Sequence, residues 1–409
     1  LIMHSNTMMK PPHLARIKNL FHQTLAQAKS LYHILRGPFP EDITPDHILS
    51  LLEYEPSGRD LERRIESGIR QEFQGTTRKN LEQALRQKAQ DYQTELGKDT
   101  VVSIGFRDLH DPHFSFSINT DHIGWAASII KIPVMIEVYK KAQQGALRLE
   151  DKLEVTHRHP LEPFDAVTLM NPGTQVPIQK LLQYMIVDSD NEATNMLIER
   201  VGLDSINQTL QELGATRTML GHLLTYYVPR NHSPFNPDGS NVTTAQDMAH
   251  LLHLIYTQRI VHPKACKDMM HLLETPSTNC LGLFLPYGTR VGNKIGSIHD
   301  LINGDDLHDV GVINRDYALS IMINRITQQP LAHPQQCARA LANPHLRFQL
   351  YQELQQLHHL FSRHHRQGNS PFEFRIQITP RLAFPDYGPA MFIGKISKAV
   401  YDIYYEGTR

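Results

Sequence analysis

The stretch Gly124-Trp125-Ala126-Ala127-Ser128-Ile129-Ile130-Lys131-Ile132-Pro133 sets the reading of this chain. It places a serine and a lysine three positions apart where a helix is expected to begin. At that spacing the two side chains share one helical face. A serine hydroxyl is a weak nucleophile until a neighbouring base removes its proton, and a nearby amine suits that task. The helix N-terminus adds partial positive charge, and Ile129, Ile130 and Ile132 limit water. The same spacing also fits an ordinary amphipathic helix with an N-cap serine. Its meaning therefore rests on what else the chain supplies.

The bulk numbers set bounds. With 409 residues the chain has room for one large domain with appendages, or two to three smaller ones. Apolar residues at 40% and charged residues at 20% suit a globular protein with a real core. A formal net charge of −1 gives no global reason to expect a nucleic acid partner. The 24 histidines should raise the charge steeply below about pH 6.5. Cys266, Cys280 and Cys337 have no short spacing, so they are read as neither a zinc site nor a dense disulfide framework. No run of about 18 apolar residues occurs, so no spanning helix is expected. Leu1 to Phe21 lacks the apolar centre of a signal peptide. A removed export signal would leave no trace.

Along the chain, residues 1–78 are polar and helical in pattern, and read as a helical extension able to bind a protein partner. Asn80 to Leu96 reads as a helix that Gly97 stops. Thr100 to Phe106 and His113 to Ile118 read as an antiparallel hairpin. The Ser128 helix runs to about Gln144. Ile178 to Val187 is helical and ends at Asp188-Ser189-Asp190-Asn191, where Ser189 or Asp190 fits an N-cap for the next helix, Glu192 to Val201. Residues 216–242 are irregular, a length that usually marks a functional or disordered loop. Thr244 is expected to cap the helix that follows. Strands are expected over Thr289 to Asn293, Asp309 to Asn314 and Tyr317 to Arg325, with Lys294-Ile295-Gly296-Ser297 at a strand end. Residues 327–389, rich in Gln, His and Pro, read as an insertion. Its helix, Leu346 to His365, carries His358, His359, His364 and His365. With no acidic or cysteine ligand nearby, these read as a solvated face and not as a metal site.

Three elements thus stand in order: Ser128-x-x-Lys131, Ser189-Asp190-Asn191 and Lys294-x-Gly296. Each is weak alone, but S-x-x-K, S-D-N and K-T-G together form the signature of class A β-lactamases and penicillin-binding proteins. The chain resembles that superfamily through these motifs. It does so again through Asn171-Pro172-Gly173-Thr174 leading into Ile186 to Asn195, and through His308-Asp309-Val310-Gly311-Val312. The resemblance covers about 80–326 and 390–409. It implies an α/β (α+β) fold of the β-lactamase/transpeptidase type. An antiparallel sheet flanked by helices would stand beside an all-helical subdomain at about 128–275, the whole domain spanning 79–409.

The resemblance also implies roles. Ser128 would be the nucleophile and Lys131 its proton acceptor. Ser189 would relay a proton to the leaving nitrogen, and Lys294 would supply positive charge beside it. Asn191, Gly296 and Ser297 would line the substrate, with the backbone N–H groups of Ser128 and Ser297 as an oxyanion hole. Asn195 resembles the asparagine that braces the loop over the site. The implied substrates are small β-lactam or peptidoglycan-like amides, handled without metal or cofactor. The implied location is periplasmic or secreted.

Two departures stand out. The family's loop glutamate, which activates the deacylating water, is missing: no glutamate occurs from Ala215 to Met269, and His222 falls at or near its position. His222 reads either as a replacement base or, more simply, as a loop histidine with no catalytic part. No acidic residue that anchors this loop is evident, since Val242 precedes Thr243-Thr244. The second departure is Ile295, which stands where K-T-G has a hydroxyl residue.

Overall fold

A computed structural model describes residues 66–97, 99–156, 165–224, 233, 235–275, 279–286, 288–298, 305–326 and 388–406. All of these fall in one compact unit, Glu66–Pro330 with Gly388–Arg409. Residues 66–78 pack into it, with Ile69 and Phe73 buried. Residues 1–65 and the histidine-bearing helix of the insertion lie outside the described residues.

The elements follow in order: α1 (Leu81–Leu96), β1 (Val101–Asp108), β2 (Ser115–Ile118), β3 (Gly124–Trp125), a 3₁₀ turn (Ala127–Ile130) and α2 (Lys131–Gln143). Then come β4 (Lys152–Glu154), β5 (Gln175–Pro177), α3 (Ile178–Val187), α4 (Asn191–Val201) and α5 (Leu203–Glu212). The chain continues through β6 (Val242–Thr243), α6 (Ala245–Tyr256), α7 (Pro263–Glu274), β7 (Val291–Ile298), β8 (Asp305–Ile313), β9 (Tyr317–Ile326) and α8 (Gly388–Tyr404).

Five strands form one antiparallel sheet in the order β2-β1-β9-β8-β7. Successive residues of a strand face opposite sides, and β1 shows what each side holds. A Cβ at Gly105 would collide with the carbonyl oxygen of Ala245, so α6 lies against that face. Phe106, its neighbour, stacks on Phe116 and lies near Tyr317 and Tyr404, which places α8 on the other face. The helical side gathers Ile132, Val134, Met135, Leu181, Leu182, Met185, Leu197, Leu251 and Leu252 into one core. Burying each such side chain contributes about 1.5–3 kcal/mol. The α/β (α+β) architecture read from the sequence is the one observed.

Three local readings change. The motif serine lies in the 3₁₀ turn, and the α-helix proper starts at Lys131. Pro133 is tolerated there because a first-turn N–H has no helical partner to lose. Lys294 to Ser297 are not at a strand end: they sit inside β7, paired with β8 as Lys294↔Val310 and Gly296↔His308. No strand is expected from the sequence at β4 or β5, which pair with each other.

Candidate active site

Four parts of the chain meet at Lys131. Its side chain is fully buried. Nζ donates to the Ser189 carbonyl oxygen at 2.6 Å and to Asn191 Oδ1 at 2.7 Å. The same nitrogen is 3.1 Å from Ser128 Oγ and 3.1 Å from Ser189 Oγ. The carbonyl and the amide oxygen can only accept, so two N–H groups are committed to them. One tetrahedral position is left for the two hydroxyls, where an amine lone pair takes a proton or an N–H gives one back. From β7, Lys294 Nζ reaches Ser189 Oγ at 3.0 Å and the Ile295 carbonyl at 3.0 Å. The line Ser128–Lys131–Ser189–Lys294 is continuous.

Each side chain is aimed by the backbone beneath it. Ala127, just before Ser128, has φ 47°, and Ser189 has φ 59°. Such conformations are costly outside glycine and cluster at functional sites. The Ser128 turn is held from several sides. Ala126 N–H donates to the Asn241 carbonyl at 2.8 Å, and β3 pairs with β6. His308, buried on β8, donates through Nε2 to the Trp125 carbonyl at 2.9 Å. Gly296 lets β7 close on the turn: a Cβ there would lie 3.1 Å from Ser128 N and 3.0 Å from Ile129 N. Ile295 and Ser297 are half-buried on the same strand.

The Ser189–Asn191 turn is fixed through the start of α4. Asp190 is its N-cap, with Oδ1 accepting from Ala193 N at 2.7 Å. Asp190 Oδ2 accepts from Val167 N at 2.9 Å. Asp165 Oδ2 accepts from Asn191 N at 2.6 Å and Glu192 N at 3.2 Å. Burial, then the Asp190 charge, pushes the Asp165 carboxyl up to about 7. Burial also raises Asp190.

The segment from Arg217 to Leu224 is held by its backbone. Asn195 exchanges two bonds with Leu224, donating to its oxygen at 2.9 Å and accepting from its N–H at 2.7 Å. Asn207 does the same with Leu220, at 2.8 Å in both directions. Asn241 Oδ1 accepts from Gly221 N and His222 N. An acidic side chain does hold the start of this segment, through hydrogen bonds: Asp247 Oδ2 accepts from Arg217 N at 3.0 Å and from Thr218 Oγ1 at 2.8 Å. It lies on α6, three residues beyond the expected Thr244 cap, whose Oγ1 accepts from Asp247 N. His222 is buried, and its Nδ1 donates to the Leu223 carbonyl at 2.7 Å. That bond places the lone pair of the neutral ring on Nε2.

All three motifs are therefore brought together, and Asn195 holds the Leu224 backbone. Asp165, Asn207, Asn241 and Asp247 were not read from the sequence. Asp247 had a signal, the Thr244-x-x-Asp247 spacing of a capped helix start. The others had none beyond residue type.

A sheet-and-helix scaffold with a serine and two lysines in one bonded line defines a serine hydrolase. Residues 81–343 match the sequence pattern of the beta-lactamase enzyme family, Beta-lactamase2, and the chain belongs to that family. Beta-lactamase VEB-1 of Pseudomonas aeruginosa is 26% identical over 212 residues, 49% of this chain and 68% of that protein. The crystal structure of a beta-lactamase from Sphaerobacter thermophilus DSM 20745 is similar at 25% identity and TM-score 0.50, covering 59% of this chain and 88% of that one. The TLA-1 extended spectrum beta-lactamase shares the fold at 17% identity and TM-score 0.56, over 79% of this chain and 98% of that one.

Proposed function

We propose that this serine β-lactamase-like hydrolase works through an acyl-enzyme on Ser128, formed with β-lactam or peptidoglycan-like amide substrates. The observation that carries this reading is the unbroken contact line from Ser128 Oγ through Lys131 Nζ to Ser189 Oγ and Lys294 Nζ. Ser128 Oγ attacks the carbonyl carbon, and its proton passes to Lys131. The carbonyl oxygen becomes an oxyanion held by the N–H groups of Ser128 and Ser297, an arrangement worth about 2.7–4 kcal/mol per donor in comparable sites. Ser189, in contact with both lysines, hands a proton to the leaving nitrogen as the C–N bond breaks. Asn191 contributes its amide to the substrate side chain as well as to Lys131. Water then releases the acyl group. The site of action is outside the cytoplasm, as for the enzymes whose motifs it shares.

A second reading concerns that last step. No glutamate occurs from Ala215 to Met269, and an acyl-enzyme without a base beside its water turns over slowly. That describes a penicillin-binding-type D,D-peptidase or esterase. A non-catalytic sensor on the same fold fits less well with an intact serine and both lysines.

Intact-protein mass spectrometry after mixing with a penicillin separates these, with Ser128→Ala in parallel. A lasting serine-dependent adduct means acylation with slow release. Rapid loss of the drug without an adduct means a working β-lactamase. Neither adduct nor hydrolysis, with simple esters also untouched, removes the acylation reading. A His222→Ala variant with unchanged turnover removes His222 from the mechanism.

A further inference from the structure

Two carboxylates share the start of α4, and they tie it in both directions. The first N–H groups of a helix have no partner within it. Here Asn191 N and Glu192 N go to Asp165, Ala193 N goes to the Asp190 carboxylate, and Thr194 N goes to the Asp190 carbonyl. In return, Asp190 accepts Val167 N from the turn that carries Asp165. Each segment thus holds the other through a carboxylate. A single N-cap would have been enough to start the helix. The second carboxylate is placed where its own ionisation is opposed by burial and by Asp190. A carboxyl perturbed in this way beside a catalytic cluster is a candidate functional group.

The position of Asp165 gives it a route to the nucleophile. It bonds the backbone N–H of Asn191, the residue whose side chain holds Lys131 Nζ at 2.7 Å. Lys131 in turn touches Ser128 Oγ. Among the described residues, the charged groups around this clasp are Lys131 on α2 and Asp190 at the start of α4, which act on Asp165. Glu192 on α4 and Asp188 at the end of α3 lie next to them and act with Asp190, and Lys180 on α3 faces Asp188. The remaining lysine, Lys294, meets the turn from β7 through Ser189 Oγ.

We infer that Asp165 is a positioning residue for the Ser128 reaction: as a carboxylate it closes the clasp that sets Asn191 and Lys131, and on taking a proton it loosens it. This rests on the acylation reading above. An ionised carboxylate accepts N–H bonds about twice as strongly as a neutral acceptor, so the clasp is tightest above the Asp165 titration. Acylation should therefore rise with pH through about 7. Stability runs the other way. Between the ordinary carboxyl value of 3.8 and about 7 the folded protein holds a proton on Asp165 that the unfolded chain has released. Folding stability then falls as pH rises across that window.

The test compares wild type with Asp165→Asn, which keeps an acceptor oxygen but cannot titrate. The first measurement is the rate of Ser128 acylation by a penicillin and, separately, by a fluorophosphonate, from pH 5 to 9. Wild type should gain about tenfold across pH 7, the scale of a small misplacement of reacting groups. Asp165→Asn should sit near the low acid-side rate with no step there. The second measurement, melting temperature against pH, needs no chemistry. Wild type minus Asp165→Asn should become more negative from about pH 4 to about 7. A variant whose acylation profile superimposes on wild type overturns the inference, as does a melting difference that does not change with pH. Reaction with the fluorophosphonate but not the penicillin removes the proposed substrate class and leaves the Asp165 test intact. If neither reagent acylates Ser128, the acylation reading itself falls, and the role assigned to Asp165 falls with it.

Discussion

The two halves of the site are built by different means. Around Lys131, side chain meets side chain: Ser128, Ser189 and Asn191 each touch Lys131, and Lys294 on β7 touches Ser189. From Arg217 to Leu224, side chains from elsewhere meet backbone: Asn195, Asn207, Asn241 and Asp247 grip main-chain groups. In the first half the chemistry lies in the residue types, so a change of type changes the reaction. In the second half the brackets fix only a path, and the side chains along that path can vary while it is kept. The first half carries the three motifs, with Ile295 beside Lys294 as its one departure, and the second half has no glutamate from Ala215 to Met269.

Lys131 is where breaking the first half should cost most. Lys131→Met keeps a long straight side chain at this buried position and removes the nitrogen that touches both hydroxyls. Acylation of Ser128 should fall by about 10⁴-fold, the upper range for loss of a general base. Burst kinetics with a chromogenic β-lactam would measure it. A loss of less than about tenfold would mean that Lys131 is not the proton acceptor.

Gly296→Ala should come next. Its Cβ would sit 3.0–3.1 Å from Ile129 N and Ser128 N, closer than the turn tolerates without shifting. The strand and the nucleophile turn would have to part by a few tenths of an ångström. Acylation should then fall by about 10–10²-fold, because reacting groups held slightly out of place lose rate steeply. The fold should persist, since β7 is an edge strand and its pairing with β8 does not involve that side chain. Unchanged acylation would show that the close approach at Gly296 sets strand packing and not the geometry of the Ser128 N–H.

This asymmetry explains what could be read from the sequence. Ser128, Lys131, Ser189 and Lys294 were legible because three short motifs stand in the order of a known signature. The strands and helices were legible from apolar periodicity, and Thr244 from its capping position. Lys294 was misplaced to a strand end because lysine and glycine are poor strand formers. In β7 they are held by register with Val310 and His308, a tertiary fact. The strained backbone at Ala127 and Ser189 had no signal, since neither residue type favours positive φ. Asp165 was invisible for a related reason. It stands 26 residues before Asn191, whose N–H it binds, and a carboxylate that acts on backbone can be supplied from anywhere the chain passes.

Asn195 sharpens the comparison from the bracing side, with the smallest effect on acylation. Its carboxamide is buried and spends both functions on the Leu224 backbone. Asn195→Ala leaves a donor and an acceptor of Leu224 without that partner, a loss of about 1–3 kcal/mol. For a unit of this size that lowers the melting temperature by roughly 2–4 °C per kcal/mol. If the two halves are as separate as their construction implies, acylation should stay within about threefold of wild type, because no reacting group moves. The rate of acyl release should change more, since the water that performs it would lie under the segment Asn195 supports. Mass-spectrometric timing of adduct formation and decay reads both steps in one experiment. Decay that changes while formation holds keeps the halves distinct. Formation that falls as far as decay would mean that the loop also sets the nucleophile, and the division between a chemical half and a bracketed half would be lost.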